Sequence, residues 1–200
     1  KYKGKLILKE FDLGTFLEDA KVGTVSANID VNGRGFVAKT IDTEVTGDVF
    51  QIAYNAYNYQ KTKVSGKIKN GIFDGILVVN DKNLQLNFNG LLDYSGVINK
   101  YDFEANVGYA NLNALNFVKK DSISIFRSTV NMNMNSSNLD DAYGRITFRN
   151  TSYKNENDTY IFESFKIASR FEGKTRFIEI DSPEIIEGGI SGEFVVNDLI

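Results

Sequence analysis

Neither cysteine nor histidine occurs in the 200 residues, and proline occurs once, at Pro183. Missing thiols exclude a disulfide framework and a thiolate metal site. Without imidazole or thiol there is no Ser-His-Asp or Cys-His nucleophile, and zinc loses its two commonest ligands. No stretch approaches the ~18 consecutive apolar residues that a membrane-spanning helix needs. Lys1-Tyr2-Lys3-Gly4-Lys5 runs straight into a strand pattern, with no leader-like segment and no initiator Met. At the other end the pattern is still running at Glu193-Phe194-Val195-Val196-Asn197-Asp198-Leu199-Ile200. The chain therefore reads as a piece of a longer polypeptide, with any targeting or anchoring signal outside it. An excess of positive charge is lacking as well. The formal net charge is -3, with Lys9, Lys39, Lys61, Lys63, Lys100, Lys119 and Lys120 scattered among acids, which argues against a nucleic-acid partner.

What is present is strand chemistry. The chain is 42% hydrophobic and 24% charged, enough to bury apolar surface, and it holds 17 Gly, ten Tyr and fifteen Phe. Apolar residues alternate with Ser, Asn, Asp, Gln, Glu or Lys along Val25-Ala27-Ile29-Val31, Leu84-Leu86-Phe88, Phe103-Ala105-Val107-Tyr109, Val130-Met132-Met134, Phe165-Ile167 and Ile178-Ile180. Each such strand has one apolar and one polar face. Asn32-Gly33, Asn70-Gly71 and Asn89-Gly90 carry tight-hairpin chemistry, and Gly35, Gly75, Gly96, Gly173 and Gly188-Gly189 mark further turns. The polar run Lys154–Thr159 reads as an exposed hairpin tip. The topology these signals predict is an antiparallel meander.

The strand text is written twice. Phe11–Leu17 followed by Val25–Val31 recurs loosely as Tyr109–Leu115 followed by Thr129–Met134, and Gly47–Ile52 recurs as Gly144–Arg149. The anchors Leu13/Leu112, Leu17/Leu115 and Gly47/Gly144 are offset by 97 to 99 residues, a period that predicts duplicated β modules over 1–103 and 104–200. At most one short helix per module is expected, at Leu13–Leu17 and Leu112–Leu115, with Asp12 and Asn111 in N-cap positions.

Catalytic and metal readings are weak. The carboxylate pairs Asp140-Asp141, Glu18-Asp19 and Glu156/Asp158 lie in polar loops, where solvated turn roles are the plain reading. Asp30-Val31-Asn32-Gly33 begins like a calcium loop, but the spacing fails beyond the glycine. The sequons at Asn135, Asn150 and Asn157 read as accidents of an asparagine-rich chain. No enzyme activity, cofactor or metal is expected.

The run Lys5–Leu17, leading through Val22-Gly23-Thr24-Val25-Ser26 to Asn32-Gly33-Arg34-Gly35-Phe36, resembles the repeat of TamB-type translocation and assembly proteins in the AsmA-like superfamily of bridge-like lipid transfer proteins. Asn111–Phe117 and Ser137–Asn150 resemble it equally, most specifically in Asn138-Leu139-Asp140-Asp141 leading to Gly144 and a strand. The resemblance implies an all-β, curled antiparallel sheet that forms a taco-like hydrophobic groove. It further implies a long protein in the periplasm of a diderm bacterium, anchored in the inner membrane and engaging an outer-membrane barrel of the BamA/TamA type. Its groove would carry phospholipid acyl chains between the membranes and support outer-membrane assembly, with adjacent repeats of the same chain as structural partners.

Physical chemistry points the same way in one respect. One-sided strands with no amphipathic helix to cover them must curl or pair face to face. An acyl chain of roughly sixteen carbons meets a barrier on the order of 12 kcal/mol in crossing water, at ~0.8 kcal/mol per methylene. An apolar lining removes most of that barrier. The residues expected to line such a groove are Val25, Ala27, Ile29, Val31, Leu84, Leu86, Phe88, Phe103, Ala105, Val107, Val130, Met132, Met134, Ile146, Phe148, Phe165, Ile167, Ile178 and Ile180. The same set would form the dry core of any β-sandwich. The competing function is accordingly a β-rich adhesive or scaffolding segment of a bacterial surface protein, with closed sandwich repeats.

Overall fold

The computed structural model describes residues 1–37 and 40–195; the end of the strand-like run at 196–200 lies outside the described residues. The described chain forms one open antiparallel sheet of 12 strands whose spatial order is the chain order. The strands are β1 (Tyr2–Asp12), β2 (Val22–Arg34), β3 (Asp42–Tyr54), β4 (Tyr57–Lys69), β5 (Ile72–Asn80), β6 (Leu84–Asp93), β7 (Asn99–Asn111), β8 (Ile125–Ser136), β9 (Tyr143–Lys154), β10 (Thr159–Glu172), β11 (Thr175–Ser182) and β12 (Ile186–Gly192). The only helix among the described residues is α1 (Leu13–Leu17). The fold is thus all-β and a meander, as the alternation predicts.

Turn chemistry explains some connections and not others. Asn70-Gly71 joins β4 to β5 with φ of 51° and 84°, the left-handed pair that a two-residue hairpin needs. Asn155 to Asp158 forms the β9–β10 tip within the predicted polar run. Asn32-Gly33 and Asn89-Gly90 are not turns; they lie inside β2 and β6, and Gly75 and Gly188-Gly189 lie inside β5 and β12. The reason is a close approach between strands. A Cβ on Gly90 would sit 2.4 Å from the Asp102 carbonyl oxygen and 2.5 Å from the Phe103 Cα, at a φ of 147°. Glycine there serves the ladder.

Strand bulges supply a second source of bending. Glu10, Lys61 and Asn150 hold φ near 50° inside β1, β4 and β9, and register shifts fall between Leu8 and Phe11, Gln85 and Leu86, Val107 and Ala110, and Arg127 and Thr129. Each shift bends its strand and adds local twist.

Asp12 caps α1, its Oδ1 accepting from the Thr15 N–H at 2.9 Å. Asn111 does the same for Ala114 at 3.1 Å, but the following residues make a single turn, closed by the Leu115 N–H on the Asn111 carbonyl at 3.0 Å. The expected module boundary at 103/104 falls within β7, which pairs with β6 on one side and β8 on the other. The connections after β1 to β5 cover 13–21, 35–41, 55–56, 70–71 and 81–83; those after β7 to β11 cover 112–124, 137–142, 155–158, 173–174 and 183–185. In both series the longest comes first.

The accessible surface is 12450 Å² for 22.4 kDa, against about 9,400 Å² for a compact monomer of that mass. The surplus belongs to a sheet that is not covered on both faces.

Candidate binding site on the apolar face

Register assembles the apolar side chains into rows that cross the strands. Leu77, Phe88, Ala105, Val130, Phe148 and Phe165 stand opposite one another in succession from β5 to β10. Beside them run Phe103, Met132, Ile146, Ile167 and Ile180 from β7 to β11. Ring contacts continue along the rows: Phe73 to Phe88 at 6.3 Å, Phe88 to Phe103 at 5.0 Å, Phe126 to Phe148 at 6.4 Å and Phe148 to Phe165 at 6.3 Å between centroids.

Every residue expected to line a groove lies in a strand and none is exposed. Val25, Ala27, Val31, Phe88, Ala105 and Val130 are buried, while Ile29, Leu84, Leu86, Phe103, Val107, Met132, Met134, Ile146, Phe148, Phe165, Ile167, Ile178 and Ile180 are half-buried. Tyr109, read with β7's apolar alternation, departs from it because the shift between Val107 and Ala110 reverses the parity, and Ala110 pairs with Phe126 instead. Sequence reading missed Val45, Val49, Val64, Ile68, Leu77 and Val79, which share the face through their pairings. In β3 to β5 the alternation is broken by Thr43, Gly47, Thr62, Gly66 and Gly75, so the pattern is visible only once strands are in register.

A cavity of about 1300 Å³ opens on this side of the first half of the chain, lined by Leu17, Ala20, Val22, Tyr54, Ile72, Tyr94 and Tyr101 among others. Val22 and Tyr54 lie at one end of β2 and β3; Ile72 and Tyr101 lie at the opposite end of β5 and β7. A strand of 13 residues such as β4 spans about 40 Å when flat, at ~3.3 Å per residue. Residues from opposite strand ends sharing one cavity require a bent sheet.

Two polar clasps border the face. Asn55 in the β3–β4 turn and Asn116 in the β7–β8 connection exchange side-chain to carbonyl bonds at 3.2 and 3.1 Å, and Leu115 tucks against Tyr59 and Ala110. Burial pushes the Tyr59 phenol up to about 12. Beside it the Tyr57 hydroxyl donates to Asp81 at 2.6 Å, and the Gln60 and Asn83 N–H groups donate to the same buried carboxylate. At the other border Arg176, 4% exposed, donates to the carbonyls of Leu139, Asp140 and Ala142 at 3.0 to 3.2 Å and to Ser169 Oγ at 3.1 Å. This buried cation ties the β8–β9 connection to β11.

The opposite face is mostly polar, with Ile7, Ile76 and Val78 exposed on it, and carries both charge signs. Arg149 approaches Glu104 at 3.4 Å, Lys67 and Arg34 both meet Asp42, at 3.1 and 3.0 Å, and Lys166 meets Asp181 at 2.7 Å. The Lys67 and Arg34 contacts hold the Asp42 carboxyl below its ordinary range. A depression of about 950 Å³ lies there too, lined by Asp102, Glu104, Asn131, Arg145 and Arg149 among others. Its mixed charges create no field of one sign.

The loop carboxylates have local partners. Asp141 accepts from the Ser137 and Asn138 N–H groups at 2.7 and 3.0 Å, Asp19 from the Lys21 N–H at 2.8 Å, and Glu156 from the Ser122 and Ile123 N–H groups and the Ser122 hydroxyl. The Ser122 side chain and the backbone donors hold Glu156 down to about 2. Asp30 to Gly33 lie extended within β2. Among the described residues no cluster of acidic side chains is arranged to hold a metal ion, and no helix is long and apolar enough to cross a membrane.

No family model, curated protein or solved structure matches this chain.

Proposed function

We propose that this chain is a length of lipid-conducting β-groove of the TamB/AsmA-like kind. The observation that carries the reading is the apolar row from Leu77 to Phe165, continuous across six successive strands of an open sheet. In this reading glycines and bulges let every strand curl toward the apolar face, and the strands stack along the groove axis in the manner of a folded taco. Twelve strands at ~4.8 Å give a trough of about 53 Å.

The groove comprises two tandem units of six strands, β1–β6 and β7–β12. Support comes from the two longest connections, which come first and second in each unit, from the equivalent caps at Asp12 and Asn111, and from Gly47 and Gly144. A Cβ on either glycine would meet the preceding strand at nearly the same distances, 2.3 and 2.2 Å to a carbonyl oxygen and 2.8 Å to a Cα. Similar units offer a hydrocarbon tail similar surfaces, so a lipid shifts along the trough with little change in free energy and no residue needs to do chemistry. Half-buried Ile29, Phe103, Met132, Phe148 and Ile167 are the contacts; methionine adapts its shape to a variable tail. In this reading the protein works in the periplasm of a diderm bacterium, anchored in the inner membrane, with an outer-membrane BamA/TamA-type barrel as partner.

Purified protein is expected to retain phospholipid detectable by mass spectrometry. A photo-crosslinking side chain at Ile29 or Phe148 captures lipid in cells, whereas one at Asn28, on the other side of β2, does not. A dry sample with equal capture at both faces sinks the groove and leaves an adhesive or scaffolding sheet.

A further inference from the structure

The cavity of about 1300 Å³ that joins opposite strand ends has walls of three kinds. Leu17, Ala20, Val22 and Ile72 give it hydrocarbon, Tyr54, Tyr94 and Tyr101 bring three phenols, and Asp19, Lys21 and Lys69 bring charge of both signs. β3 and β7, which carry Tyr54 and Tyr101, are paired with strands on both sides.

Backbone bonds fix both borders of the cavity. On one, the Val22 N–H donates to the Asp19 carbonyl at 3.1 Å, and the Asn55 N–H, just past β3, donates to the Lys21 carbonyl at 2.9 Å. On the other, the Tyr94 N–H donates to the Gly71 carbonyl at 3.0 Å, which holds the β6–β7 connection against the β4–β5 turn, and Asp93 Oδ1 accepts from the Ser95 N–H at 2.9 Å. The Tyr94 and Tyr101 rings meet with centroids 5.9 Å apart and 81° between their planes, like two walls of a box. Tyr54 and Tyr94 are 37% and 55% exposed, so much of each ring is left accessible to a ligand. Desolvation in the cavity, followed by the adjoining Tyr101, pushes the Tyr94 phenol up to about 12, which keeps it neutral at physiological pH.

Aromatic rings at right angles with a carboxylate in the same cavity suit an ammonium group: the ring faces attract the cation, the carboxylate balances it, and phenol oxygens accept its N–H groups. Lysine ammonium groups suit a phosphate, and apolar walls suit the first methylenes of a tail. We infer that this cavity is a site for a phosphate-linked ammonium, in the form of the headgroup of a zwitterionic, amine-bearing phospholipid. The ammonium lies among Tyr54, Tyr94, Tyr101 and Asp19, and the phosphate lies by Lys21 and Lys69. The inference rests on the lipid-groove reading and adds a choice of headgroup to it. Apolar rows treat all hydrocarbon tails alike, whereas this cavity distinguishes what the tails carry.

The 200-residue protein is incubated with vesicles of phosphatidylethanolamine and phosphatidylglycerol in equal amounts and re-isolated, and its bound lipid is read by mass spectrometry. Phosphatidylethanolamine is expected to be enriched several-fold over the vesicle ratio. Tyr94→Leu combined with Tyr101→Leu should return the bound lipid to the vesicle ratio with its total amount unchanged, while Tyr94→Phe, which keeps the ring, should retain most of the enrichment. Asp19→Asn, in an exposed connection, should lower the enrichment without disturbing the fold, since an amide oxygen can still accept from the Lys21 N–H. Lipid bound by the wild type at the vesicle ratio overturns the headgroup site and leaves the groove, as does enrichment that survives loss of both rings. Soluble glycerophosphoethanolamine separates the remaining cases. If neither phospholipid is retained but this probe shifts the Tyr54, Tyr94 and Tyr101 ring resonances, the ammonium site stands and the groove is rejected; with no shift, both fall.

Discussion

At the scale of single residues, glycine decides what the strands can do. Gly66, Gly75 and Gly90 stand opposite one another across β4, β5 and β6, and a Cβ on any of them would come within about 2.5 Å of backbone on the adjacent strand. Gly4, by contrast, has nothing within 4 Å of its Cβ position. Gly90→Ala is expected to destabilise by more than about 2 kcal/mol, from the clash and from the strained φ, while Gly4→Ala stays within about 0.5 kcal/mol. Denaturant unfolding of the two variants checks this, and equal losses would show that the glycine row is not a close approach. The sequence displays these glycines, but Gly75 and Gly90 read there as turns. Whether Asn-Gly ends a strand or sits inside one depends on the partner strand: Asn70-Gly71 turns, Asn89-Gly90 does not.

At the scale of elements, the alternation of β2, β6, β7 and β8 is legible because three or more consecutive positions of the face are apolar in each strand. The equivalent positions in β3 and β4 are held partly by Thr43, Thr62 and glycine, so their face emerges only from pairing. Connections depend on side-chain caps that the sequence marks at Asp12 and Asn111 but not at Glu156, whose partners Ser122 and Ile123 lie across a strand pair. Glu156 sits near 2 in the folded chain against an ordinary value of 4.5, so its contribution is complete above about 4.5 and is lost as pH falls through about 2. The Ser122 and Ile123 amide shifts should therefore titrate with a midpoint near 2 and become insensitive to acid in Glu156→Gln. A midpoint at 4.5 would mean that the bond does not persist in solution.

At the scale of the whole molecule, the substantial strand contacts are between sequence neighbours, so stability is transmitted along the sheet in one dimension. Exceptions such as Asn55 with Asn116 brace the middle. Amide exchange is accordingly expected to be slowest in β5 to β8, where strands have neighbours on both sides and the Phe88 cluster is densest, and to quicken toward β1 and β12. Uniform protection from edge to edge would indicate global cooperativity instead.

Period-two alternation and the lack of any amphipathic helix determined an all-β meander with one apolar face from the sequence alone, because side-chain direction in a strand is fixed by parity. Only the tertiary structure decided that all strands join a single open sheet, which glycines belong to ladders, and which residues from distant strand ends share a cavity. Those outcomes depend on register and bending, and both arise from contacts between residues far apart in the chain.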